Sequence, residues 1–169
     1  MPLSKSRKKS PKRKKKVSTR SLLSKCELPE KTAFIYNPPG QIKMSEVLMD
    51  FIEPYESMLH SEEDYRKIIS TALVAWNAAL LPEPERREMV DSIIDEAFSS
   101  AADDARLVID ELSRRKERHF AQIKRGMLSY ELTMTKDGPH VSVMSTLEGI
   151  PRPSPPRRTW FGRVVSRFL

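Results

Sequence analysis

The chain is poor in the residues on which several common kinds of site depend. Cys26 is the only cysteine among 169 residues, so no intrachain disulfide can form. Nothing therefore argues for an oxidising compartment, and a reducing cell interior is expected. The five glycines are scattered along the chain, which excludes a glycine-rich phosphate loop, and no nucleophile elbow occurs.

Histidine is equally scarce. His60, His119 and His140 do not have metal-ligand spacing, and none of them is close in sequence to the cysteine. Acidic pairs such as Asp103 and Asp104 are typical of solvated helix faces, because carboxylates act in catalysis only where a cleft shifts their pKa. The sequence therefore predicts no metal site, no cofactor and no catalytic residue. A small enzyme of unknown chemistry is the third of three functional hypotheses.

Long apolar runs are missing as well. The fifteen uncharged residues between Lys67 and Glu83 fall short of the ~20 apolar residues that span a bilayer. Residues 21–24, Ser-Leu-Leu-Ser, are too few to be the apolar part of a secretion signal. We predict that the chain has no transmembrane segment. The expected location is the cytoplasm, in association with the nucleoid, or the nucleus if the protein is eukaryotic.

Acidic residues are absent from both ends of the chain. Residues 1–20 hold ten of the thirty Lys and Arg, residues 149–169 hold five Arg, and neither stretch has an Asp or Glu. Residues 21–148 therefore carry 15 basic and 23 acidic residues, a net charge of −8. This asymmetry suggests a polyanionic partner.

The basic leader, residues 1–20, has too few apolar residues to fold alone and is expected to be disordered. Its cations at positions 5–20 would neutralise phosphates of DNA or RNA without reading sequence. The alternatives are a solubilising tail and a tail that folds back on the acidic body. The residues predicted to contact nucleic acid are Lys8, Lys9, Lys12, Arg13, Lys14, Lys15 and Lys16.

The other end has a Pro/Arg-rich linker over residues 149–159 and a short amphipathic tail over residues 160–169. The tail suits weak contact with an anionic membrane surface or a groove on a partner, or it packs back on the domain. A peripheral membrane or scaffold adaptor is therefore the second hypothesis. Residues 153–158 also resemble a polyproline ligand of SH3-type domains. The predicted contact residues of the tail are Trp160, Phe161, Arg163, Val164, Arg167 and Phe168.

Between the ends, a partly ordered connector over residues 21–43 precedes an α+β domain over residues 44–148. The pattern predicts a small helical bundle around one long buried helix, residues 61–81, followed by a β-hairpin. Ser61 is expected to cap the long helix and Pro82 to end it. An earlier helix is predicted to begin with Ser45 as its cap and to break at Pro54.

Two further helices are predicted after the long one. The first runs from Glu85, a break follows over residues 99–104, and the second continues to about Arg125, where Gly126 ends it. From Leu128 onward the apolar period becomes two, which predicts a hairpin around Asp137 and Gly138. Residues 34–36 are the candidate for a third strand.

A basic run, residues 113–119 with Lys124 and Arg125, lies near the end of the last predicted helix. Cations are stabilising at a helix C-terminus, which explains the run without a function, and phosphate binding is the alternative. The leading functional hypothesis combines these features. It is a non-enzymatic intracellular accessory protein whose acidic body recognises a protein partner while the leader contacts nucleic acid.

Overall fold

A computed structural model describes Ile35, residues 39–97 and residues 102–147 of the chain. In this part of the chain four α-helices are followed by one antiparallel hairpin, which confirms the predicted α+β class. The elements are α1 (Met44–Ile52), a 3₁₀ helix (Glu53–Met58), α2 (Glu62–Ala78), α3 (Glu85–Ala97), α4 (Ala102–His119), β1 (Met127–Thr135) and β2 (Gly138–Ser145).

Several predicted segments lie outside the described residues. These are the leader over 1–20, most of the connector over 21–43, the linker over 149–159 and the tail over 160–169. Of the candidate third strand only Ile35 is described, and it is 57% exposed and belongs to no strand.

Helix α2 is the centre of the core. The Ser61 hydroxyl accepts a hydrogen bond from the Asp64 amide at 3.1 Å, and the Asp64 carboxylate accepts one from the Ser61 amide at 2.9 Å. This capping box confirms the predicted start of the helix. The predicted end at Pro82 is too late, because the helix ends at Ala78 and the amides of Leu80 and Leu81 make turn bonds to Asn77 and Ala78. Near the other end the fully buried Trp76 ring meets Phe51 of α1 edge-on, with 5.2 Å between ring centroids. Helix α1 thus packs on α2 through aromatic side chains, and α4 also lies against α2.

The start of α1 differs from the prediction. The helix begins at Met44, so Ser45 lies inside it, and the capping position belongs to Lys43, which makes no side-chain cap. The Lys43 ammonium instead contacts the Glu46 carboxylate at 2.9 Å. The α-helix ends at Ile52, and the chain continues through Pro54 as the 3₁₀ helix, which agrees with the break predicted at this proline.

The predicted break over residues 99–104 is too long. Residues 98–101 lie outside the described part, but α4 already begins at Ala102, so Asp103 and Asp104 belong to its first turn. Negative charge is favourable there because the helix dipole is positive at that end.

Helix α4 also ends earlier than predicted, at His119 rather than about Arg125. The Lys116 ammonium donates to the Phe120 carbonyl at 2.7 Å and closes the last turn. The Trp76 indole donates to the Arg125 carbonyl at 2.8 Å, and residues 123–126 belong to no helix or strand. Gly126 therefore does not end a helix. A Cβ on Gly126 would lie 3.3 Å from Oδ1 of Asn77, so the glycine permits a close approach to α2.

The hairpin follows the predicted pattern. Strands β1 and β2 pair antiparallel from Met127–Ser145 to Thr135–Gly138, with one irregularity near Leu128. Residues 136 and 137 form the turn, and Gly138 has φ +107, a conformation that favours glycine. Tyr130 and Leu132 point into the core against α2, and α1 lies against β2.

Candidate functional site

The residues predicted to contact nucleic acid, Lys8 to Lys16, and those predicted in the tail, Trp160 to Phe168, lie outside the described part of the chain. Those two sites stay predictions. What the structure does describe is the third basic cluster of the sequence, residues 113–125, together with the acidic surface around it.

Two cations of this cluster are buried and stabilise the fold. Arg125 is 7% exposed, and its guanidinium donates to the carbonyls of Thr146 and Ile42, both at 2.8 Å, and to the Ser145 hydroxyl at 2.6 Å. It therefore ties the start of the domain to the end of β2. Lys116 is 2% exposed, and its ammonium lies 4.6 Å from the centroid of the Trp76 ring, a favourable cation–π distance.

Arg115 has a similar structural task at the end of α1. Its guanidinium donates to the carbonyls of Asp50 at 3.0 Å and Phe51 at 3.2 Å, and it approaches the Glu53 carboxylate at 3.7 Å. The last carbonyls of a helix lack partners within the helix, and a cation there also opposes the negative end of its dipole. Arg115 therefore joins α4 to α1.

The other basic residues of the cluster, Arg114, Arg118, His119 and Lys124, are exposed. Three of them line an open pocket of about 470 Å³ between the 3₁₀ helix and residues 107–119 of α4, which we call the α4 pocket. Its lining residues are Pro54, Tyr55, Leu107, Glu111, Leu112, Arg114, Arg115, Arg118 and His119.

The α4 pocket is positive within an acidic domain. Three guanidinium groups face one carboxylate, Glu111, whereas the described residues as a whole carry 20 acidic and 13 basic side chains, a net charge of −7. The Tyr55 hydroxyl in the pocket wall is buried and makes no hydrogen bond of normal geometry. Burial first, and the Glu111 carboxylate second, raise the pKa of Tyr55 to about 12, so the phenol is neutral at physiological pH.

The acidic surface lies on α3 and on the start of α4. Arg106 neutralises one of its carboxylates, because it donates to Asp91 at 2.5 Å. Most of the other carboxylates are exposed to solvent, which gives this face a net negative charge. The exposed acidic residues are Glu85, Glu88, Asp95, Glu96, Asp103 and Asp104.

The three histidines are exposed and lie on different elements, before α2, at the end of α4 and in β2. Among the residues described, no group of three or more His, Cys, Asp or Glu side chains is placed to hold a metal ion. Nor does any helix in residues 39–97 or 102–147 combine the length and the apolar character needed to cross a bilayer.

The basic run can be seen in the sequence, but the pocket cannot. The signal was present on α4, since Glu111, Arg114, Arg115 and Arg118 follow one another at helical spacing and share a face. What the sequence could not give is the opposite wall, Pro54 and Tyr55, which approaches only through the packing of α1 on α4.

Comparisons of the chain with protein-family models, curated proteins and solved structures found no match. The function is therefore inferred from charge, burial and contacts.

Proposed function

We propose that this protein is a non-enzymatic accessory protein that contacts nucleic acid through its basic leader and a protein partner through its acidic body. The observation that carries the proposal is the separation of charge. Ten cations and no acid lie in residues 1–20, whereas the described domain has a net charge of −7. A cationic segment of this density binds phosphates by releasing counterions, whatever the base sequence.

The contacts within the domain support this division. Arg66 pairs with Glu62, Arg86 with Glu117 and Arg106 with Asp91, so these cations are already neutralised by carboxylates. Carboxylates remain in excess on α3 and the start of α4, a surface that repels a phosphate backbone. Such a surface favours encounter with a basic protein, because complementary charge raises association rates and rejects wrong partners.

The test is a titration of DNA and of RNA with the full chain and with a variant that begins at Ser21, each at two salt concentrations. If all ten cations of the leader engage phosphates, log K falls with log salt at a slope of roughly −9, and fewer contacts give a proportionally smaller slope. Removing the leader should abolish most of the affinity and most of the slope.

The matched control is a variant that ends at Glu148 and so lacks the five arginines of residues 149–169. It should bind nucleic acid nearly as well as the full chain, because the cations of the leader are intact. Salt-independent binding, or equal binding with and without the leader, would remove the proposal. Sedimentation with anionic lipid vesicles that is lost on removing residues 151–169, but not residues 1–20, would favour the membrane or scaffold adaptor instead.

A further inference from the structure

The residues of α4 that line the α4 pocket change from apolar to cationic along the helix. Leu107 is followed by Glu111, then by Arg114 and Arg115, and then by Arg118, which places them on one side of the helix. The pocket thus has an apolar end and a cationic end. A ligand that fits both would combine an anionic group with a less polar part.

Arg118 is the cation most available to such a ligand. It is exposed and makes no hydrogen bond or ion pair with the residues described, unlike Arg66, Arg86 and Arg106, which all pair with carboxylates. Arg114 is also exposed, and its Nε donates only to the Asp110 carbonyl of its own helix, at 3.2 Å.

Arg115 differs because it is already oriented. Its bonds to the ends of α1 hold the guanidinium between the two helices, so placing it costs no further side-chain entropy on binding. The apolar wall is open as well, since the Leu107 side chain is 65% exposed. The pocket is open to solvent, and its volume of about 470 Å³ leaves room for a phosphate group with an attached moiety.

We propose that the α4 pocket binds a phosphate group through Arg118, Arg114 and Arg115, with the remainder of the ligand lying along Leu107 and Pro54. Guanidinium groups suit this task because their planar N–H donors match the oxygens of a phosphate two at a time. The phosphate belongs either to a free phosphate compound or to a nucleic-acid strand. The proposal does not rest on the leader, which lies outside the pocket in sequence.

A competing explanation needs no ligand. Cations in the last turns of α4 oppose the negative end of its dipole and would be favourable for that reason alone. On this explanation the exposed arginines affect only the stability of the helix, and phosphate has no preference for the pocket over other exposed cations.

The two explanations are separated by nuclear magnetic resonance on the full chain, with inorganic phosphate as the probe at constant ionic strength. The chain has three histidines, of which only His119 lines the pocket, so the ring signals of His60 and His140 are internal controls. Phosphate should shift the His119 ring signals in a saturable way and leave the other two unchanged.

Substitution then identifies the contact. Arg118→Gln should weaken phosphate binding about tenfold or more, because it removes a charge-assisted hydrogen bond. The matched control is Arg87→Gln, since Arg87 is an exposed arginine on α3 that lies outside the pocket and makes no hydrogen bond or ion pair with the described residues. It should leave binding unchanged. Arg114→Gln provides a second pocket variant if the first disturbs the helix.

Titrations with a nucleoside monophosphate and with a short single-stranded DNA oligonucleotide distinguish the sources of the phosphate. If the His119 shift saturates at a lower concentration of the monophosphate, the ligand is a free phosphate compound. If it saturates at a lower concentration of the oligonucleotide, the ligand is a nucleic-acid strand. Equal shifts at all three histidines, equal loss in Arg87→Gln and Arg118→Gln, or no shift at His119 would each overturn the proposal.

Discussion

The junction between α2 and the hairpin depends on one amide side chain, Asn77. Its Nδ2 donates to the Met127 carbonyl at 2.7 Å, and its Oδ1 accepts from the Met127 amide at 3.0 Å. The side chain thus pairs with the first residue of β1 as a neighbouring strand would. Met127 is fully buried, which limits the access of water to its amide and carbonyl once the side-chain partner is removed. We predict that Asn77→Ala destabilises the domain strongly.

The magnitude follows from the two backbone groups left without partners. Each buried backbone group that loses its hydrogen-bond partner costs about 1–3 kcal/mol, and the two together therefore cost roughly 2–6 kcal/mol. Alanine recovers about 0.5 kcal/mol through its better helix propensity. The net loss of about 2–5 kcal/mol is a large share of the 5–15 kcal/mol that is typical of a whole domain.

Urea unfolding measures this loss, as a lower midpoint with an unchanged slope. The matched control is Ser70→Ala, on the same helix. The Ser70 hydroxyl lies 3.0 Å from the Tyr130 hydroxyl, which also donates to the Arg66 carbonyl at 3.1 Å and so keeps a partner. That control should cost less than about 1 kcal/mol. If Asn77→Ala costs no more than Ser70→Ala, the amide does not hold the hairpin and the reasoning is wrong.

Two further predictions concern titration and capping. The pKa of Tyr55 is raised from 10.0 to about 12, so its contribution to the stability of the domain is complete below pH 10 and is lost as the pH rises toward 12. Tyr55→Phe should remove this alkaline loss of stability, which denaturation measured at a series of pH values would show. Ser61→Ala should cost about 1 kcal/mol in thermal unfolding followed by circular dichroism. Since the Ser61 hydroxyl first, and the His60 amide second, lower the pKa of Asp64 below 3.8, stability should fall as the pH drops through that lowered value, and less steeply in Ser61→Ala. An unchanged alkaline or acid profile in the respective variant would contradict each assignment.

The elements that depend on local interactions could be predicted from the sequence. The start of α2 was found because Ser61 and Asp64 satisfy its first amides within one turn. The hairpin was found because its alternation and its turn glycine are both local signals. For the same reason the α+β class followed from the order of the patterns alone.

The errors arise where distant contacts override the local pattern. The apolar spacing continues past His119, but the Lys116 ammonium closes the last turn on the Phe120 carbonyl, and the Trp76 indole binds the Arg125 carbonyl beyond it. The role of Asn77 was missed likewise, although an amide within an apolar stretch of helix is itself a signal that a buried polar partner exists. The basic run could be seen in the sequence, but the division into buried and exposed cations required the packed structure.

The tip of the hairpin is exposed to solvent over residues 133–137, while the strands behind it remain paired. Loop tips of this kind tolerate insertions, because no buried backbone is disturbed. A fluorophore or an affinity peptide introduced between Lys136 and Asp137 should therefore leave the core intact. Such a label would lie outside the residues that line the α4 pocket, so the protein could be attached to a surface or detector without changing a pocket residue.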